Sequence, residues 1–371
     1  MSRRLLFSLY LFFICLALCF PAVAAPTLQP GFRTLGIWNP DTSVRMDLAV
    51  WYPARRSPSR VDYGDWVFSA SRGAAPVEGQ HPLVVLSHDS AGSRFSLHAL
   101  ASQLARNGFV VVAPTHAHDN VDSMDTLFTA PQVTRRARQI NLALDIALSH
   151  PDVAPLIDPQ RIGGLGVGPG GTAALLIAGA RLDSTVWPLY CAGKDEDADP
   201  YCTPWARQRM NVFAAAPDLS ASYRDRRVRA ASAVAPSYAM FFTPTSLSRI
   251  RIPLQLLRAE KNRLYTLQHA ERLLGSLPQP PQLGILPEAD AASLMSECGP
   301  TLKQTLPGMC LAVPAARRAA VQEKMAAEAV AFFLRELGTP NPPPLPPEPE
   351  DPPIVKETPK TDRPAARRRA R

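Results

Sequence analysis

The sequence predicts an α/β domain with a mostly parallel central sheet and helices on both faces. Three observations carry this. Apolar, often β-branched runs of five or six residues recur along the middle of the chain. These runs are short, largely apolar and do not alternate, which suits strands covered on both faces. Between them lie longer stretches of helical periodicity closed by Gly or Pro, so strand and helix alternate.

The chain has 371 residues, 46% of them hydrophobic, which excludes wholesale disorder, and no glycine repeat of collagen type occurs. Residues 1–24 place Arg3 and Arg4 before an apolar run, Leu5 to Phe20, and then Pro21-Ala22-Val23-Ala24 before Ala25. A charged start, a hydrophobic middle and an A-x-A site form the pattern of a cleaved secretory signal peptide. The competing reading, an uncleaved anchor, is disfavoured because a span needs about 20 apolar residues. Lipid attachment at Cys19 is disfavoured by the bulky Leu18 before it. The expectation is an exported protein, periplasmic or secreted.

The domain proper is expected over 25–337. Met46 to Tyr52 (MDLAVWY) reads as an extra edge or antiparallel strand, followed by strands at Pro82 to Ser87 and Phe109 to Ala113. Helices are expected at Ser96 to Asn107, closed by Gly108, and at Val133 to His150, stopped by Pro151. A strand at Arg161 to Leu165 leads through a glycine-rich turn into a helix from Gly170 to Ala180. Residues 181–228 are a long insert, rich in Pro, Asp and Arg, and inserts at this end of such sheets lie over the ligand crevice. Strands at Ala230 to Ala235, Ile252 to Leu257 and near Gly284 to Leu286 follow. The last helix, about Ala315 to Leu337, carries Val321, Met325, Ala329, Phe332 and Phe333 near one side and should close against the sheet. From Gly338 to Arg371 the chain holds 11 of its 39 prolines, so a disordered, extended tail with an Arg-rich end is expected.

The formal charge of +8 invites a nucleic-acid reading, but its location removes it. The tail has seven basic and five acidic residues, Arg3 and Arg4 leave with the signal, and +4 remains on 25–337. The partners expected are therefore a small-molecule or protein ligand at the crevice, with no nucleic acid and an anionic surface or protein contact open to the tail. Cleavage leaves Cys191, Cys202, Cys298 and Cys310. In an oxidising compartment two closely spaced pairs favour local disulfides, Cys191–Cys202 and Cys298–Cys310, among three connectivities. Neither pair has the short spacing of a zinc site.

The informative segment is Arg161 to Ala180, RIGGLGVGPGGTAALLIAGA. Gly166 to Gly171 matches G-x-G-x-x-G, the phosphate-cradling turn of dinucleotide folds. That fingerprint belongs to a first strand followed about 20 residues later by an acidic strand end, and neither condition holds. No cofactor is expected. The same turn fits the G-x-S-x-G elbow of α/β hydrolases with Gly168 in the serine's place. Here the wider chain resembles the platelet-activating-factor acetylhydrolase and dienelactone-hydrolase-like branch of the α/β-hydrolase fold. Gly31-Phe32-Arg33 with Ala49-Val50-Trp51-Tyr52-Pro53 is similar to the family's opening, Pro82 to His88 to its strand into the oxyanion loop, and Gly108 to Pro114 with His116 to the next strand. Arg161-Ile162-Gly163 precedes the elbow, and the spacing of Cys298 and Cys310 is also like the family's. The resemblance implies an α/β-hydrolase fold with a disulfide-containing insert or cap.

Ester hydrolysis on this fold needs a serine, a histidine, an orienting acid and backbone N–H donors for the oxyanion. Aligned to the resemblance, each position is degenerate. The nucleophile is Gly168, and the following residue, which should donate its N–H, is Pro169, which has none. The oxyanion loop carries Asp89, whose charge would repel an oxyanion. The acid position is Asn262, with Glu260 a nearby substitute, and the histidine position is Ala291. No histidine follows His269, so a Ser, Asp, His order cannot be completed.

Polar residues at the strand ends remain as crevice candidates: His88, Ser90, His116, His118 and Asp119. His88, His116 and His118 could in principle form a metal set, against which stands the structural role that the resemblance implies for the first two and exposure for the third; no metal is expected. Ser87 and Ser90 are nucleophiles on paper without an evident base. Three functions follow: a non-catalytic pseudo-hydrolase that binds a ligand or partner, an active ester or lipid acyl hydrolase using displaced residues, and a structural envelope protein acting through its tail.

Overall fold

A computed structural model describes residues 27–338 apart from 41, 193 and 195–198. The expected signal segment 1–24, and all but the first residue of the tail 338–371, lie outside the described residues. The architecture is an α/β sandwich built on a ten-stranded sheet in the order β10-β9-β8-β7-β5-β6-β2-β1-β4-β3. The strands are β1 (Gln29–Asn39), β2 (Val44–Ala54), β3 (Ser59–Asp62), β4 (Val67–Arg72), β5 (His81–Ser87), β6 (Val110–Pro114), β7 (Ile157–Val167), β8 (Val228–Val234), β9 (Leu254–Ala259) and β10 (Gln282–Leu286). The run from β6 through β5, β7, β8 and β9 to β10 is parallel throughout.

Each strand expected in this parallel block is present. β10 at the sheet edge leaves Leu283 and Ile285 exposed, whereas the runs of β5 to β9 are buried for the reason anticipated, cover on both faces. β7 demonstrates this. A Cβ added at Gly163 would press on Phe333, one added at Gly164 on Ile177, and successive strand residues face opposite sides. Phe333 belongs to helix Ala315–Leu337 and Ile177 to helix Pro169–Ile177, so these helices cover opposite faces. Helix His98–Arg106 packs beside the first, helix Pro131–Ser149 beside the second.

Met46 to Tyr52 does form an antiparallel strand, β2, but not an edge. It pairs with β6 on one side and along its whole length with β1 on the other. β1, β3 and β4 had no counterpart in the sequence reading. β1 contains Pro30, Gly31 and Gly36 and shows exposed and half-buried residues in alternation, so no continuous apolar run marks it. Its inner end supplies Phe32 to an aromatic cluster with Trp51, Phe68 and Phe95, ring centroids 5.2–6.1 Å from Phe32. Such ring pairs add roughly 0.5–1.5 kcal/mol each beyond burial.

Both disulfides close as expected: Cys191–Cys202 in the insert and Cys298–Cys310 after β10, with Cα separations of 5.5 and 5.8 Å. The insert carries helix Pro204–Ala214, whose N-cap Thr203 accepts from Ala206 N–H. Among the described residues no helix is long and apolar enough to cross a membrane.

Candidate functional site

The elbow between β7 and helix Pro169–Ile177 is a single residue, Gly168, with φ 57° and ψ −124°. This left-handed conformation is unfavourable for most side chains, and glycine adopts it without strain. Gly168 N–H donates to Val234 O at 3.0 Å, and its carbonyl accepts from Ser237 N–H at 3.2 Å and Thr172 N–H at 3.1 Å. The flanking glycines answer to space. A Cβ on Gly166 would overlap the Gly170 carbonyl, and one on Gly170 would lie 2.7 Å from both Ser87 Oγ and His88 O. The turn is thus wedged against the end of β5, and the glycine spacing is a steric requirement of that contact.

The space above Gly168 is filled. A Cβ built there would lie 2.6 Å from Asp89 Cγ and 2.9 Å from Asp89 Oδ2. A carboxyl group from the neighbouring loop therefore stands where a nucleophile's side chain would project. Asp89 Oδ1 accepts from Ser90 N–H at 2.7 Å, and no described residue donates to Oδ2. Burial raises this carboxyl's pKa to about 6, against the Ser90 N–H bond and the nearby Arg136 charge, which favour ionisation. The oxyanion position is likewise closed, because Pro169 at the helix N1 position has no N–H.

Beneath the elbow lies a polar layer that the sequence reading did not assemble. His88 and His116 are buried, with ring centroids 4.8 Å apart. His88 Nδ1–H donates to Asp89 O at 2.6 Å while its Nε2 accepts from His116 N–H at 3.1 Å. Ser87 O–H donates to His116 Nε2 at 2.8 Å, and His116 Nδ1–H donates to Gln139 Oε1 at 2.7 Å. Ser87 accordingly has a base with an orienting partner behind it, contrary to the expectation that it had none. The base lay 29 residues away on the next strand's loop, and the adjacent pairing of β5 and β6 brings the two together. Ser87 and His116 are each 0% exposed, so this relay is sealed from solvent. Burial, reinforced by Arg136, pushes both imidazoles well below their ordinary pKa and keeps them neutral.

Arg136 holds this layer together. It pairs with Asp119 at 2.7 Å, both side chains almost fully buried, and donates to the carbonyls of His88 and Asp119. Asp119 is thus a structural counter-ion and not a crevice residue. Gln132, Arg136 and Gln139 share one face of helix Pro131–Ser149 at helical spacing, each about 1% exposed. Polar residues four and then three positions apart on an otherwise apolar face were the available signal. His118 lies away from this layer, with Nδ1 3.2 Å from exposed Asp125. Among the described residues no group of three or more His, Cys, Asp or Glu is arranged to hold a metal.

Over the elbow opens a cavity of about 480 Å³, predominantly apolar in its lining. Of the crevice candidates only Ser90 lines it, with Asp89 beside it. The other polar groups at its wall are mutually satisfied. Gln132 Nε2 donates to Ser90 Oγ at 2.7 Å, Tyr238 O–H donates to Gln132 Oε1, and Tyr201 from the insert accepts Tyr238 N–H at 3.1 Å. Ala291 also lines the cavity, where it adds no polar group. Asn262 does not reach the cavity; its Oδ1 accepts from Leu264 and Tyr265 N–H at 2.8 and 3.2 Å, closing a turn. Glu260 is exposed and accepts from Glu288 N–H.

Residues 70–197 match the family described as dienelactone hydrolase family. No curated protein matches the chain. Among solved structures, a ferulic acid esterase from Streptomyces cinnamoneus superposes with a TM-score of 0.54 and 22% identity, covering 87% of this chain and 94% of that one. A Bacteroides ovatus chain proposed to be a dipeptidyl aminopeptidase IV gives 0.47 at 10% identity, over 86% of this chain and 37% of that one. With its parallel sheet and its glycine elbow after β7, the chain has the α/β-hydrolase fold, and its residues 70–197 are similar to the dienelactone hydrolase family.

Proposed function

We propose that this is an exported, non-catalytic α/β-hydrolase-fold protein that binds a ligand in the cavity above the former nucleophile elbow. The observation that carries the reading is the placement of the Asp89 carboxyl in the volume a Gly168 side chain would need. With it go Pro169 at the oxyanion position and Ala291 on the wall where the resemblance places a histidine. Three separate changes each remove one requirement of acyl transfer, while the cavity and its satisfied polar wall are retained. Export is supported by the signal-like pattern of residues 1–24 and by two disulfides, which persist in oxidising compartments.

A second reading, an active hydrolase with displaced residues, is favoured by the Ser87, His116, Gln139 relay and by the esterase among the structural neighbours. Against it stands the complete burial of Ser87. Purified protein with its disulfides intact should neither hydrolyse p-nitrophenyl butyrate above a heat-denatured control nor be labelled by a fluorophosphonate. Turnover that disappears in Ser87→Ala would replace the first reading with the second.

A further inference from the structure

The cavity is not a uniform apolar pocket, and its asymmetry specifies a ligand chemistry. Every polar wall group described above has an internal partner except one carboxylate oxygen, Asp89 Oδ2. Around the same space stand Phe128, Tyr201 and Tyr238, with ring centroids 5.6–6.3 Å from one another. Phe128 stands perpendicular to both tyrosines, at interplanar angles of 86° and 88°, so the rings form a corner and not a stack. The remainder of the lining includes Met124, Met295 and Met309, flexible and polarisable side chains that adapt to an alkyl or aryl body.

We propose that the cavity is a binding site for an organic ammonium compound, an apolar body bearing one amine, with the ammonium on Asp89 and against the aromatic corner. This rests on the reading of the cavity as a binding site and adds the ligand class. A carboxylate next to aromatic walls is the arrangement that stabilises a cation in a low-dielectric pocket. Fatty acids and other anions are excluded by the same carboxyl, and a neutral alcohol gains a hydrogen bond but not the ionic attraction.

The groups facing Asp89 fix its response to pH. Arg136 and Asp119 lie beneath it as a buried pair, His88 precedes it, and Tyr201 and Tyr238 line the same cavity. Burial keeps His88 neutral and raises both tyrosines, so the Asp89 carboxyl is the group at this wall that changes charge between pH 4.5 and 8. The test is calorimetric titration of the full-length mature protein with n-octylamine, octan-1-ol and octanoate, with p-nitrophenyl butyrate turnover measured on the same sample. At pH 8 octylamine should bind at least about tenfold more tightly than octanol, with octanoate weaker still. The preference should shrink at pH 4.5 and vanish in Asp89→Asn, while Phe128→Ala should weaken the amine more than the alcohol. Equal binding of octanol and octylamine, tighter binding of octanoate, a preference that survives Asp89→Asn, or no binding of octylamine by folded protein would each overturn the inference. Ester turnover would instead count against the non-catalytic reading, so the two fail separately.

Discussion

Replacing Asp89 by Asn tests the account of the elbow most directly, because the side chain keeps its shape while the charge is lost. The carboxyl's pKa rises from 3.8 in an unfolded chain to about 6 in the folded one, chiefly through burial. The folded state therefore holds the proton more tightly, and stability is highest with Asp89 protonated, falling as pH rises from about 4 to 6. A shift of about 2 units at 1.36 kcal/mol each gives a penalty of about 3 kcal/mol for the wild type at pH 8. At pH 4.5 most of this is relieved, leaving about 1 kcal/mol. Asn keeps an oxygen to accept from Ser90 N–H and carries no charge, so the variant should be more stable than wild type by up to about 3 kcal/mol at pH 8 and by about 1 at pH 4.5. Urea unfolding followed by the fluorescence of buried Trp51 and Trp66 reads this difference at each pH, and contributions common to both proteins cancel. A difference that does not vary with pH, or a variant less stable than wild type at pH 8, would refute the idea that a buried, strained charge fills the elbow.

Gly168→Ser should not create esterase activity: its side chain would collide with Asp89, and a p-nitrophenyl butyrate assay should stay at background even in Gly168→Ser with Asp89→Gly, because no described histidine lines the cavity over the elbow. Arg136→Met strands the buried Asp119 carboxylate and should cost about 3–5 kcal/mol in denaturant unfolding, while adding Asp119→Leu should recover part of that loss. Gly166→Ala forces a methyl onto the Gly170 carbonyl, so a loss exceeding about 2 kcal/mol, or failure to accumulate folded protein, is expected by circular dichroism. Replacing Cys298 and Cys310 by Ala opens a loop of 12 residues and should lower stability by about 2–3 kcal/mol in chemical denaturation.

The parallel block was legible because strands covered on both faces are mostly apolar: Pro82 to Ser87 and Phe109 to Ala113 declare themselves by composition, and the buried polar pair Ser232 and Gln255 in β8 and β9 is hydrogen-bonded to itself. β1, β3 and β4 were not, since a strand half open to solvent shows no run, and β1 is built around Gly31 and Gly36. The disulfide pairs were favoured among three connectivities by their close spacing together with the expected oxidising compartment, as short loops close most readily.

At the site, sequence determined what is missing: glycine at position 168 offers no nucleophile and proline at 169 offers no N–H, wherever the chain places them. It also determined that a turn survives there, because Gly166 and Gly170 bracket it. Tertiary structure alone decided what occupies the space above the turn. Asp89 and Gly168 lie on different strands' loops, and only the register of β5 beside β7 sets the carboxyl over the elbow. The same pairing of β5 with β6 gives Ser87 its histidine and then buries both, and helix Pro131–Ser149 supplies Gln132, Arg136 and Gln139 from beneath. Hydrogen bonds and charges act over a few ångströms of space, and residues 29 to 106 positions apart in the chain meet at such distances only after the sheet has formed.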